Sequence, residues 1–332
     1  MSKQNKDYKG NAAFKKEFLG YYYNHPYQRQ PKERRQIGRA LKWLEPYENK
    51  WGMDFCLQTD IEELQAIVNQ TSVGAKITIL LVLRDYIKWS VNKKSEGASQ
   101  VFLTLTTPAI ESYKYSTISS PAQLQNHLSA IYRPESERTI DNTYRVFFWL
   151  AFSGLEEHDA YKVTTDDINL EKMRIEYNGL QLPIYKESYV AFKSCKEDRS
   201  FMYSNDNYVT TEIDRPRATG NNLLRGFRVA PSLENRTMRV LTNRRQQVAY
   251  EKGQIRRTVA YSRVWRSGIF YKEWVCERQG RPLSFTDTAA FIVENGTRAY
   301  KAGEVATMQV KYERILRDLT REYKLWKVAH NL

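Results

Sequence analysis

Arg263 and Arg266 stand three residues apart in the stretch SRVWRSGIFYKEWVCERQG, residues 262–280. A guanidinium is planar, permanently charged and rich in N–H donors, so arginines suit the holding of a phosphate. Arginine cannot act as a base near neutral pH, which limits this pair to binding and charge stabilisation. The two close a longer basic tract: residues 215–266 hold 13 Lys and Arg against 2 acids, a balance of +11. Within and beside it, Arg225, Arg228, Arg244, Arg245, Arg256, Arg257, Arg263 and Arg266 are candidates for contact with backbone phosphates. Some of them are also able to read guanine edges in a major groove. The first 50 residues carry 12 Lys and Arg against 5 acids, a balance of +7. Two separated basic regions on a 332-residue chain of net charge +14 imply a polyanion held from two sides.

Other chemistries find little footing. His25, His127, His158 and His330 are scattered without metal spacing, so no metal site is expected. Cys56, Cys195 and Cys276 are few, odd in number and far apart, which reads as buried thiols in a reducing compartment. No glycine-rich phosphate loop occurs, and no cofactor is expected. The best apolar run, ITILLVL at residues 77–83, is far too short to span a membrane, and the basic N-terminus lacks the apolar core of a signal peptide. These features lead to an expectation of a cytoplasmic protein, nucleoid-associated through DNA, with no membrane partner.

The elements that must position these residues read as mainly α with a small β-hairpin. Residues 1–35 read as a basic arm, where YYYNHPYQRQPKERR interleaves aromatics with cations; its tyrosines either stack on bases or pack on a core. Residues 36–95 read as a helical bundle: Ile37, Leu41 and Leu44 keep three-and-four spacing, Pro46 marks a helix end, and Thr59 or Asp60 caps IEELQAIVNQ. Residues 96–117, Thr-rich and β-prone from 101 onward, read as a linker, and residues 118–332 as a second domain. There Ser120-Pro121 opens a helix, an apolar helix runs to Ser153, and a strand pair flanks Asn178-Gly179, the strongest short hairpin signal. Residues 198–222 read as polar turns, and the basic tract after them as mostly helical. Gly280 ends the helix that carries Arg266, Ser284 or Thr286 caps another, and a final helix spans about 304–329. That last helix is amphipathic, with Ile315, Leu316, Leu319, Tyr323 and Trp326 on one side; it either packs on its own core or joins copies of the chain in a homo-oligomer.

This order resembles the tyrosine recombinase (phage integrase) family, over about residues 1–95 and 117–332. SPAQLQNHLSAIY looks like the first helix of its catalytic domain, FFWLAFSGL like its apolar helix ending in Thr/Ser-Gly-Leu, and TTDDINLEKMRI like its Asp-Ile turn into the hairpin. SRVWRSGIFYKEWVCERQG is similar to the helix with the His-x-x-Arg box. The resemblance implies an N-terminal core-binding, SAM-like DNA clamp and a recombinase-type catalytic domain. It also implies chemistry in which a tyrosine takes over a DNA phosphodiester, two arginines stabilise the charge and a lysine protonates the leaving oxygen.

Carried over residue by residue, that machinery is incomplete. Glu156 occupies the position of the first arginine, with Glu157 beside it, and neither Arg145 nor Arg174 fits in its place. No lysine lies in the hairpin; Lys172 and Lys186 flank it. The box reads Arg263-x-x-Arg266, so the arginine is present and the histidine is not. Tyr312 is the candidate nucleophile and Tyr300 the alternative. Loss of one preorganised donor typically costs about 100- to 1000-fold in rate, and a carboxylate facing a phosphate adds repulsion. The expectation is therefore a DNA-binding regulator, repressor or accessory factor of a phage or mobile element, without catalysis. Two alternatives stay open: an active, divergent integrase with Tyr312, Arg263 and Arg266 in catalytic roles, and an RNA-binding helical module.

Overall fold

The computed structural model describes residues 12–24, 31–71, 76–93, 97–203, 213–226, 235–294 and 308–332. The chain is mainly helical with small antiparallel sheets. Packing divides it into a unit of residues 1–113 with 276–332, and a unit of residues 114–275. The sequence reading gives 96–117 as a linker and 118–332 as a second domain.

The first unit is built from α1 (Ala12–Asn24), α2 (Pro31–Trp51), α3 (Ile61–Thr71), α4 (Ile77–Asn92), α5 (Val101–Thr104), α13 (Thr286–Glu294) and α14 (Met308–His330), with most of α6 (Pro108–Tyr115). Ile37, Ala40, Leu41 and Leu44 of α2 form one buried stripe against Leu80, Leu83 and Ile87 of α4. Asp60 Oδ1 caps α3 by accepting from Glu62 N at 2.9 Å and Glu63 N at 3.2 Å.

Three local readings are corrected here. Residues 12–24, read as part of an arm, form a helix: Phe14 and Phe18, one turn apart, meet Trp89 and Tyr86 with ring centroids 4.6 Å and 5.1 Å apart. Pro46 lies inside α2 and does not end it, because the buried stripe on both sides of the proline outweighs one lost backbone bond. The Thr-rich stretch is helical: Thr107 Oγ1 accepts from Ile110 N at 3.3 Å, and burial of Phe102 and Ile110 overrides β propensity.

The α14 stripe is buried within its own unit at Ile315, Leu319, Tyr323, Trp326 and Ala329, packed on α13 and α4. Glu277, at the end of α12 (Tyr261–Arg278), accepts from Tyr323 Oη at 2.5 Å and from Lys327 Nζ at 2.9 Å. A buried polar cluster sits deeper. Lys15 pairs with Glu48, Glu48 accepts from Phe55 N at 3.1 Å, and Tyr86 Oη donates to Asp54 at 3.0 Å. Burial, then Asp54, pushes the Cys56 thiol up to about 12, so it is an inert thiol.

The second unit surrounds α8 (Asp141–Ser153), every residue of which is buried. Before it comes α7 (Pro121–Ser129), capped by Ser120 Oγ accepting from Gln123 N at 3.2 Å. After α8 follow α9 (Glu157–Ala160) and the sheet β1 (Ile168–Asn169), β2 (Arg174–Tyr177) and β3 (Leu180–Pro183), in order β1-β2-β3. Tyr177 pairs with Leu180, and both intervening residues have positive φ, Asn178 at 46° and Gly179 at 77°. That is the turn that Asn-Gly favours between twisted strands. The chain continues through α10 (Tyr189–Glu197), α11 (Asn235–Glu251) and α12. Within residues 198–222, read as turns, β4 (Ser200–Tyr203) pairs antiparallel with β5 (Ile213–Pro216), anchored by buried Phe201.

Candidate functional site

The C-terminus of α8 organises the site. Gly154 takes φ 108°, outside the range of ordinary side chains, and Leu155 N returns to Leu150 O at 3.0 Å. Two α12 residues one turn apart hold the carbonyls that follow: Trp265 Nε1 donates to Gly154 O and Tyr261 Oη to Leu155 O, both at 2.9 Å. Gly268, one turn on, lies so near the α8 backbone that a Cβ there would come within 1.9 Å of Phe152 O. The segment 154–156 is thereby pinned to the helix that carries Arg263 and Arg266, both half-buried.

Glu156 follows at the start of α9. It is 8% exposed. Burial, followed by the like charge of Asp159, pushes its carboxyl up to about 7. His158 lies between the two acids, with Nδ1 3.4 Å from Glu156 Oε2 and Nε2 3.2 Å from Asp159 Oδ2. Asp159 also accepts from Lys162 Nζ at 3.0 Å and from Tyr177 Oη at 3.2 Å. Glu157 is turned to a different partner, Arg239 of α11, through two bonds of 2.5 Å. Glu157 is thus neutralised within the protein, whereas Glu156 is buried beside another acid.

The basic tract is displayed by anchored elements. On α11, Met238, Thr242, Gln246 and Ala249 form the buried face, and Asn243, Arg244 and Gln247 are exposed. Gln246 clamps the following loop: its Oε1 accepts from Val259 N at 2.7 Å and its Nε2 donates to Val259 O at 3.0 Å. His127 lies 3.4 Å from Gln246 Oε1, and burial pushes its pKa down, opposed by that hydrogen bond. Buried Ile255 and Val259 fix the loop at both ends, so Arg256 and Arg257 stand exposed between them. Arg256 Nη1 donates to Tyr115 Oη at 2.6 Å and covers that ring at 5.1 Å. Arg245 lies 3.9 Å from Asp141.

Not every candidate faces outward. Arg225 is half-buried, and its Nη1 and Nη2 donate to Gly220 O at 3.1 Å and Cys195 O at 3.2 Å. Arg228 and Tyr300 lie outside the described residues. Tyr312 is half-buried on α14, in the first unit, while Arg266 belongs to the second. Residues 174–183 of the hairpin hold no lysine; Lys172 is exposed in the turn between β1 and β2, and Lys186 is exposed after β3. Arg145 serves structure: its Nη2 donates to Tyr132 O at 3.2 Å and Arg133 O at 2.7 Å, and its Nη1 pairs with Glu135 at 3.3 Å. The sequence reading missed Arg217, a buried guanidinium beside Phe201.

Among the described residues no group of three or more His, Cys, Asp or Glu is arranged to hold a metal ion. Among them too, no helix is long and apolar enough to cross a membrane. No family model matches the chain, and no curated protein matches it.

Proposed function

We propose that this chain is a double-stranded DNA-binding protein with a core-binding domain and a recombinase-type domain on the tyrosine-recombinase plan, and that it lacks strand-transfer chemistry. It acts as a regulator, repressor or accessory factor of a phage or mobile element. The observation that carries this reading is Glu156, a buried carboxyl pushed up to about 7 at the position where the resemblance calls for a phosphate-binding arginine. Ionised, Glu156 repels a phosphate; protonated, it offers one hydrogen-bond donor and no positive charge. Neither form supplies the charge stabilisation that phosphoryl transfer demands.

Support for the grip comes from the clamped arginines. Arg256 and Arg257 project from a loop held at Ile255 and Val259, and Arg244 from a helix fixed by its buried face. A fixed backbone limits the freedom that these side chains lose when they meet a phosphate. The exposed face of α11, with Asn243, Arg244 and Gln247, carries the side-chain types that read base edges in a major groove. Self-association through α14 would require exchange of that helix between copies, since its apolar stripe is already covered within the first unit.

The test is binding without cleavage. The purified protein is used to select duplex fragments, and the best fragment is titrated by fluorescence anisotropy and offered as a nicked suicide substrate. Salt-dependent binding with no covalent adduct is expected. A phosphotyrosyl adduct lost in Tyr312→Phe would establish the active-integrase alternative, and failure to bind any duplex at low salt would remove the DNA reading altogether.

A further inference from the structure

Arg217 and Arg225 of the second unit form a cluster apart from the exposed arginines. Arg217, just after β5, is 6% exposed. Its Nη1 reaches Thr143 Oγ1 only at 3.5 Å, and its guanidinium carbon lies 5.8 Å from the Phe201 ring centre. Its Nε and Nη2 are buried and have no hydrogen-bond partner among the described residues. Those two nitrogens share one edge of the guanidinium, the edge that takes an oxyanion through two parallel bonds. The Nε of Arg225 is likewise buried without a partner among the described residues. Its other two nitrogens are held by the carbonyls of Gly220 and Cys195, which fix its orientation.

The two stand around one pair of residues: Thr143 Oγ1 lies 3.5 Å from Arg217 Nη1 and 3.8 Å from Cys195 Sγ, and Cys195 O accepts from Arg225 Nη2. After burial, the charge of Arg217 is the next cause of a lowered Arg225 pKa. Neither makes a salt bridge with a carboxylate among the described residues. Buried donors without acceptors and buried like charges are each unfavourable, and proteins compensate them with a counter-charge. One bound anion would offset both at once.

We infer that Arg217 and Arg225 build a binding site for a dianionic phosphoryl group, either free phosphate or the terminal phosphate of a monoester. Two neighbouring guanidiniums match a dianion, whereas a single carboxylate would balance only one of them. The enclosure of Arg217 favours a terminal group over a duplex phosphodiester, which continues into chain on both sides. The inference is independent of the DNA-binding reading, because the site is tested without nucleic acid.

The test is thermal denaturation of the full chain at constant ionic strength, exchanging sodium chloride for sodium phosphate. At about ten times Kd, phosphate should raise Tm by about 3 °C. Arg225→Gln and Arg217→Met should each lose that rise. If Arg217→Met does not fold, Arg225→Gln, at a half-exposed position, decides alone. No rise in the wild type, or an equal rise in every folded variant, overturns the site, since phosphate also stabilises proteins non-specifically. A nucleoside 5′-monophosphate that acts where the nucleoside does not supports a monoester ligand. A response confined to inorganic phosphate supports the free ion.

Discussion

Glu156→Gln isolates the buried carboxyl at nearly constant shape. The folded protein holds the Glu156 proton up to about pH 7, against an ordinary value of 4.5. That gap of roughly 2.5 units corresponds to about 3 kcal/mol. The sign follows from proton counting. Between pH 4.5 and 7 the folded chain binds more protons at this site than the unfolded chain, so stability falls as pH rises through that window and levels off above it. Glutamine does not titrate. The stability of Glu156→Gln relative to wild type should therefore improve by about 2.5 kcal/mol between pH 5 and pH 8, order of magnitude, less whatever the His158 contact returns. Urea denaturation at both pH values, with m unchanged, reads the difference directly. A relative stability that stays constant across the two pH values would refute the buried, uncompensated carboxyl.

Gly268→Ala should destabilise by about 3 kcal/mol or more, because the added methyl meets the Phe152 backbone and α8 and α12 must part; the shift in Tm checks it. Lys15→Met should cost about 3 kcal/mol by leaving Glu48 buried alone, and adding Glu48→Leu should recover most of that loss; denaturation of the single and double variants checks the pair. Arg256→Ala and Arg257→Ala should each reduce the slope of log affinity against log salt by about 0.9, without changing the preferred sequence, if each meets one backbone phosphate. Duplex affinity should tighten as pH falls from 8 to 6, and Glu156→Gln should flatten that dependence; anisotropy titrations at matched salt measure both.

Helical character was legible wherever apolar spacing was regular, as in α2 with Ile37, Leu41 and Leu44, and wherever local chemistry dictates a turn, as at Asn178-Gly179 and Gly154. Legibility failed where packing overrides local preference. The 101–117 stretch is β-prone by composition and helical by burial, and α1 is a weak amphipath whose Phe14 and Phe18 are fixed by rings far along the chain. A glutamate at position 156 was visible in the sequence; its burial beside Asp159 was not, since that depends on α12 holding residues 154 and 155. Arg217 gave no signal, because an arginine in a basic tract looks the same exposed or buried. Its unpartnered edge exists only once β4 and β5 have paired.

The most direct measurement is an anisotropy titration of a selected duplex across a salt series, run beside covalent capture on a nicked copy of the same sequence. The expected result is affinity that falls steeply and linearly in log salt, with a slope of about −3 or steeper, and no protein–DNA adduct. Salt-insensitive or absent binding, or an adduct formed by the Glu156-bearing chain, would contradict it.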